Sequence, residues 1–202
     1  MFANARFPQG EGGKAALSHM NEAHNEGTRW ALAPLDIADD SQVLDIGCGG
    51  GLAMSLLRQK FNGGVVAGVD YSPTAVEETT KFNMSAVERG DCTVTQGSVS
   101  ELPFEDSHFD LVTAFETVYF WPELTQDFEE VLRVLRPGGK FLIFNATDGL
   151  TKEHESWAEQ IEGMRIYTVD ELCATLRQAG FEEPGVDTCE GKSWIRVVAR
   201  KP

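Results

Sequence analysis

Apolar runs are short throughout this sequence. None approaches the roughly 20 consecutive residues that a membrane-crossing helix needs, and residues 1–8 (MFANARFP) hold no apolar stretch of the kind that makes a signal peptide. The expectation is a soluble, cytoplasmic protein with no membrane partner. Basic residues are also few: 17 Lys and Arg stand against 32 Asp and Glu, a formal charge of −15. Such a balance repels a phosphate backbone, so no nucleic-acid partner is expected. Cysteine is sparse, with Cys48, Cys92, Cys173 and Cys189 scattered and no C-x-x-C pair, which argues against a disulfide framework or a zinc ribbon. The four histidines share no ligand spacing, and no metal site is expected. Internal repeats and low-complexity segments are lacking too.

What is present suits one compact domain: 202 residues, 42% of them hydrophobic, fall near the ~100–200 residues of a single core. Residues 1–40 read as an N-terminal arm and helical lid, and 41–202 as a single domain. Gly10, Gly12 and Gly13 suggest a loose start, followed by short helices over 14–25 and 28–37, the second interrupted by Pro34. Strands are expected at 42–46 (QVLDI), 65–70 (VVAGVD), 92–97 (CTVTQG), 109–115 (FDLVTAF) and 140–146 (KFLIFNA). Between them lie a helix over 52–60, another from the Ser72 cap and Pro73 to about Arg89, and a third in which Leu124, Phe128, Val131 and Leu135 recur at helical spacing until Pro137, Gly138 and Gly139. Thr168 and Glu171 form a capping box for a helix ending at Gly180, and a final hairpin turns at Gly191 and Lys192. Strands alternating with long helices predict a doubly wound, mostly parallel α/β sheet, to which the hairpin adds an antiparallel strand near one edge. In such sheets ligands bind beyond the carboxyl ends of the strands.

The segment VLDIGCGGG (43–51) places Gly47, Gly49 and Gly51 directly after the first strand and before a helix, where a backbone without side chains lets a ligand come close. A P-loop is excluded because no Gly-Lys-Ser/Thr follows, and the dinucleotide fingerprint is excluded because Leu52 stands where its third glycine belongs. Asp70, at the end of the second strand, offers a carboxylate to the two hydroxyls of a ribose, and would repel a 2′-phosphate.

The glycine loop, the acidic end of VVAGVD, the segment LPFEDSHFDLV (102–112) and EEVLRVLRPGGKFLI (129–143) occur in the order of the motifs of the class I, Rossmann-like S-adenosylmethionine-dependent methyltransferases. The sequence resembles that family over residues 42–145. The resemblance implies a seven-stranded sheet of order 3-2-1-4-5-7-6 with strand 7 antiparallel, and S-adenosylmethionine as cofactor, leaving as S-adenosylhomocysteine. It assigns Gly47, Gly49 and Gly51 to the methionine part, Asp70 and the adjoining Tyr71 to the nucleoside, and Asp45 to the amino end or to bracing the loop. One position departs: where the family commonly has Gly-Asp-Ala after strand three, this sequence has Gly97, Ser98 and Val99, leaving Ser98 or the Val99 backbone for the adenine.

For methyl transfer the protein mainly aligns nucleophile, methyl carbon and sulfur. The acceptor is expected over FETVYFW (115–121), with Glu116 holding a proton or contacting the cofactor, Tyr119 orienting the nucleophile, and Trp121 walling the pocket or contacting a cation through its ring. Phe115 fits cofactor contact and core packing alike, as Phe120 fits core or site. His24, within SHMNEAHNEGTRW (18–30), is the lid's candidate for a catalytic role, ahead of His19; Trp30 lies in the same stretch. His154, Trp157 and Met164 line a pocket or cover the sheet. A pocket bounded by such short insertions suits a small-molecule acceptor, on a monomer or homodimer. Two alternatives remain within the fold: an inactive S-adenosylmethionine or S-adenosylhomocysteine binder acting as sensor or partner subunit, and, less fitting, a cysteine-using arsenite methyltransferase, whose thiols would have to converge. A nicotinamide-dependent oxidoreductase lacks both its third glycine and a Tyr-x-x-x-Lys dyad here.

Overall fold

The computed structural model describes residues 4–202. Seven strands form one sheet in the order β3-β2-β1-β4-β5-β7-β6: β1 (Val43–Ile46), β2 (Val66–Asp70), β3 (Cys92–Gln96), β4 (Phe109–Phe115), β5 (Leu135–Asn145), β6 (Gly185–Thr188) and β7 (Ile195–Arg200). The pairs β1–β2, β1–β4, β2–β3 and β4–β5 are parallel, whereas β7 runs antiparallel to both β5 and β6. This is the doubly wound sheet and strand order expected from the sequence. Alternate residues of the central strands feed two cores. On one face Leu44, Val112, Phe141 and Ile143 pack with Phe128 and Val131 of helix α5 (Leu124–Val134) and Leu172 and Leu176 of α7 (Val169–Gln178). On the other, Val43, Leu111, Leu142 and Phe144 pack with Ala31 and Leu32 of α1 (Gly10–Leu32) and Met54 and Leu57 of α2 (Leu52–Lys60).

Four elements differ from expectation, each for a local reason. The two short N-terminal helices are one 23-residue helix, α1. Gly13, one of the glycines that suggested a loose arm, serves close packing, since a Cβ there would lie 2.7 Å from the Pro8 carbonyl carbon; Gly27 later in the helix does the same, its Cβ falling 2.3 Å from the Phe144 ring. The helix stops before Pro34, which has no N–H to continue it. The helix expected to run to Arg89 is split into α3 (Pro73–Phe82) and α4 (Met84–Glu88), because Asn83 leaves helical geometry and turns its amide to the carbonyls of Gly51 and Thr79. Strand β5 begins at Leu135 rather than Lys140, with Pro137 accommodated where the β4–β5 register shifts between Phe109 and Leu111. Finally, residues 152–160 form a helix, α6 (Lys152–Gln160), over a stretch read only as a covering segment.

Candidate active site

The carboxyl ends of β1, β2 and β4 open into a cavity of about 260 Å³, roofed by α1 and by residues 5–8. Its floor is the loop between β1 and α2. Gly47 (φ +72°) allows the sharpest approach, since a Cβ there would meet the Thr117 hydroxyl at 2.2 Å. The loop is tied down by Gly47 and Cys48 N–H groups donating to the Val69 carbonyl (2.8 and 3.1 Å), Thr79 Oγ1 donating to the Gly49 carbonyl (2.7 Å), and Asn21 Nδ2 of α1 donating to the Gly50 carbonyl (2.8 Å). A side chain at Gly50 would sit on that Asn21 amide, 2.5 Å from Oδ1.

Asp70 ends β2 with each carboxylate oxygen accepting one backbone N–H, Oδ2 from Gly49 (3.0 Å) and Oδ1 from Ser72 (2.9 Å). Each oxygen retains a lone pair for another donor. Burial raises the Asp70 pKa, and those N–H groups oppose the rise. Asp45 is 1% exposed, its Oδ1 accepting from Thr113 Oγ1 at 2.7 Å. Burial pushes its pKa up to about 7, against the Thr113 hydrogen bond. Tyr71 borders the cavity beside Asp70: its hydroxyl donates to the Arg6 carbonyl and its ring lies 4.9 Å from that of Phe7. Ser98 is exposed, with its hydroxyl oxygen accepting from the Ser100 N–H (3.2 Å); the Ser100 hydroxyl in turn donates to buried Asp127 (2.7 Å).

At the opposite end stands Glu116, a non-glycine residue at φ +58° directly after β4. Its Oε1 accepts the Ala146 N–H and its Oε2 the Tyr119 hydroxyl at 3.4 Å. Burial pushes the Glu116 pKa up to about 8, with the Ala146 and Tyr119 hydrogen bonds opposing. Among the described residues none of Asp45, Asp70 and Glu116 forms an ion pair with a basic side chain. His24, across the cavity on α1, has its pKa lowered by burial and then by His19, so its imidazole is neutral at physiological pH.

All the expected site residues except Gly51 and Tyr119 line this cavity: Asp45, Gly47, Gly49, Asp70, Tyr71, Ser98 and Val99, and His24, Phe115 and Glu116, with Phe120 and Trp121. Gly51 caps α2 from below, enclosed by Thr79 and Asn83. Tyr119 is 2% exposed and sits in a 3-10 turn (Val118–Phe120), reaching the cavity only through Glu116. His19 is exposed and does not line the cavity, and Trp30 packs against Phe144 and Trp194. His154 stacks on Trp157 with ring centroids 4.1 Å apart, and neither they nor Met164 face the cavity. Cys48 lies in the loop and Cys173 on α7, both free and buried, so the thiols do not converge. Sequence reasoning missed the α1 face of Leu17, Met20, Asn21 and Thr28, although its spacing of three and four residues around His24 was legible. It also missed Arg6 and Pro8, for which the sequence carries no signal.

The glycine cradle, the preset Asp70 carboxylate and the unpaired Asp45 fit a nucleoside that ends in an amino acid. A Rossmann-like sheet with that loop and acid at its carboxyl edge defines the class I nucleoside-methionine binding fold. A methyltransferase domain family matches residues 44–143, and the chain belongs to the class I S-adenosylmethionine-dependent methyltransferases, with S-adenosylmethionine as methyl donor. Among curated relatives, the 27-O-demethylrifamycin SV methyltransferase of Amycolatopsis mediterranei is 29% identical over 178 residues, covering 84% of this chain and 64% of that protein. The sterol 4-C-methyltransferase of Caenorhabditis elegans is 33% identical over 165 residues, covering 76% and 47%. The chain thus spans about half to two thirds of the length of these relatives. The structure of Haemonchus contortus phosphoethanolamine N-methyltransferase 2 with S-adenosyl-L-methionine superposes with a TM-score of 0.78 at 16% identity, covering 94% of this chain and 57% of that one. Among the described residues no helix is long and apolar enough to cross a membrane, and no group of three or more His, Cys, Asp or Glu is arranged to hold a metal ion.

Proposed function

We propose that this protein methylates a small molecule at a nucleophilic O, N, S or C atom, with Glu116 and His24 facing the acceptor. When bound, S-adenosylmethionine supplies the activated methyl group. Gly47 and Gly49 would hold its methionine part, Asp45 its ammonium, Asp70 its ribose, and Tyr71, Ser98 and Val99 its adenine. The observation that carries the reading is that one cavity is lined both by this cradle and by Glu116, His24, Phe115 and Phe120. A cavity of about 260 Å³ supports a small acceptor, as do relatives named for a rifamycin and a sterol.

Glu116, when ionised, receives the acceptor's proton, since a carboxyl held near pH 8 exchanges protons close to neutral pH. His24, as a neutral base, is the second candidate. Tyr119 acts as a positioning residue, fixing the Glu116 carboxyl from behind. Residues 1–40 act as a lid on the domain formed by 41–202, in a cytoplasmic monomer or homodimer. The test is turnover against a panel of small-molecule acceptors, read as S-adenosylhomocysteine released. Acceptor-dependent release that Glu116→Gln lowers about 10²-fold or more supports the reading. Tight cofactor binding with no release on any acceptor favours instead a sensor or partner subunit.

A further inference from the structure

The acceptor end of the cavity has a chemical character that narrows the substrate, given its assignment as a methyl-acceptor site. Glu116 lines the cavity directly after β4, and Phe115 and Phe120 from the same segment line it too; Trp121 also borders it, although it is 6% exposed and stacked on Phe141 in the core. The two Glu116 carboxyl oxygens take only a backbone N–H and a phenol hydroxyl, both neutral donors, and no described basic side chain pairs with Glu116. Arg6, the one guanidinium on the cavity, belongs to the roof at residues 5–8, and its side chain lies over Gly163. The Glu116 backbone is held at φ +58°, a strained conformation for a non-glycine residue that concentrates at functional sites. A carboxyl held in place without a cation, among aromatic faces, matches a ligand that brings the positive charge itself.

We infer that the acceptor is a small organic cation, an apolar amine bound as its ammonium between Glu116 and the aromatic wall, and that carboxylate acceptors are excluded. An ammonium that hands one proton to the Glu116 carboxylate becomes a neutral amine with a free lone pair, and Glu116 becomes the acid. Of the titratable groups nearby, Tyr119 from its own turn hydrogen-bonds Glu116; His24 from α1, Asp45 from β1, Asp70 from β2 and Arg6 of the roof line the same cavity, and among the described residues none of them forms an ion pair with Glu116.

Three probes of matched size separate charge from shape: tetramethylammonium, tert-butanol and pivalate, titrated by NMR into the free protein and into protein saturated with S-adenosylhomocysteine. The cation should bind at least tenfold more tightly than the alcohol and pivalate should not bind. Because tetramethylammonium keeps its charge at every pH, its affinity should rise from pH 6.5 to 8.5 as Glu116 ionises. The preference should vanish in Glu116→Gln and shrink in Phe120→Leu, which keeps the carboxyl and removes a ring. Equal binding of the three probes, or a cation preference that survives Glu116→Gln, overturns the inference. Failure of S-adenosylhomocysteine to bind would instead sink the cofactor reading, while the preference is still read on the free protein.

Discussion

Two carboxyls at opposite ends of one cavity do different work because their partners differ. Asp70 is set by backbone N–H groups from two elements and is poised to accept hydroxyls. Hydrogen bonds to a charged acceptor contribute about 1.5–3 kcal/mol each, so Asp70→Asn should weaken S-adenosylhomocysteine binding by about 10- to 100-fold in calorimetry, with circular dichroism unchanged. Glu116 is the reverse case, a carboxyl raised from 4.5 to about 8 by burial. Its folded pKa exceeds its unfolded one, so its contribution to stability is complete below about pH 4.5 and is lost as pH rises toward 8, at up to ~1.4 kcal/mol per pH unit. Asp45, at about 7, has lost most of its own contribution before that point. The melting temperature of the free protein should therefore fall between pH 6.5 and 8.5. A Glu116→Gln variant should lose most of that fall; an equal fall in the variant would place the titration elsewhere.

At the scale of elements, α1 is what gives the carboxyl edge of the sheet a partial roof. It docks through Gly27 on Phe144 and latches the loop through Asn21. Gly27→Val places a branched side chain where the Phe144 ring already stands, and overpacking of this kind typically costs about 1–3 kcal/mol. The expected result is a helix displaced from the sheet: faster proteolysis within residues 10–32 and weakened cofactor binding, while residues 41–202 keep their protection in hydrogen exchange. Asn21→Ala, which removes one latch, should have a smaller effect of about 1 kcal/mol on cofactor affinity.

These elements also show what could be read before the structure. Strands β1, β2 and β4 were legible because each is an apolar run bounded by turn formers, and α7 because Thr168 and Glu171 spell its capping box. The loop end of the cavity was legible for the same reason: Gly47, Gly49 and Asp70 stand at fixed places after strands and line it. The acceptor end was less so. Whether Tyr119 or Glu116 faces the cavity depends on a single 3-10 turn, which no hydrophobic period encodes. Asn83, an unremarkable polar residue in sequence, breaks a helix because its amide has two carbonyls to satisfy. Gly13 looked like flexibility because the surface it packs on, Pro8, is set by the fold rather than by its own neighbours.

For the whole molecule, the two cores on either face of the sheet hold the carboxyl ends of β1, β2 and β4 in fixed register, and the ligand completes the third side. A ligand that binds only the folded state stabilises it by ~2.7 kcal/mol at 100 times its dissociation constant, and a domain of this size shifts by about 2–4 °C per kcal/mol. Saturating S-adenosylhomocysteine should accordingly raise the melting temperature by about 5–10 °C, and NADH should not.

The most direct measurement is calorimetric titration of the purified protein with S-adenosylhomocysteine and, separately, with NADH, on the wild type and on Asp70→Asn. The structure predicts one site for S-adenosylhomocysteine, weakened in the variant, and no heat with NADH. Binding of NADH alone, or S-adenosylhomocysteine binding indifferent to Asp70, would contradict the assignment of the glycine loop on which the account rests.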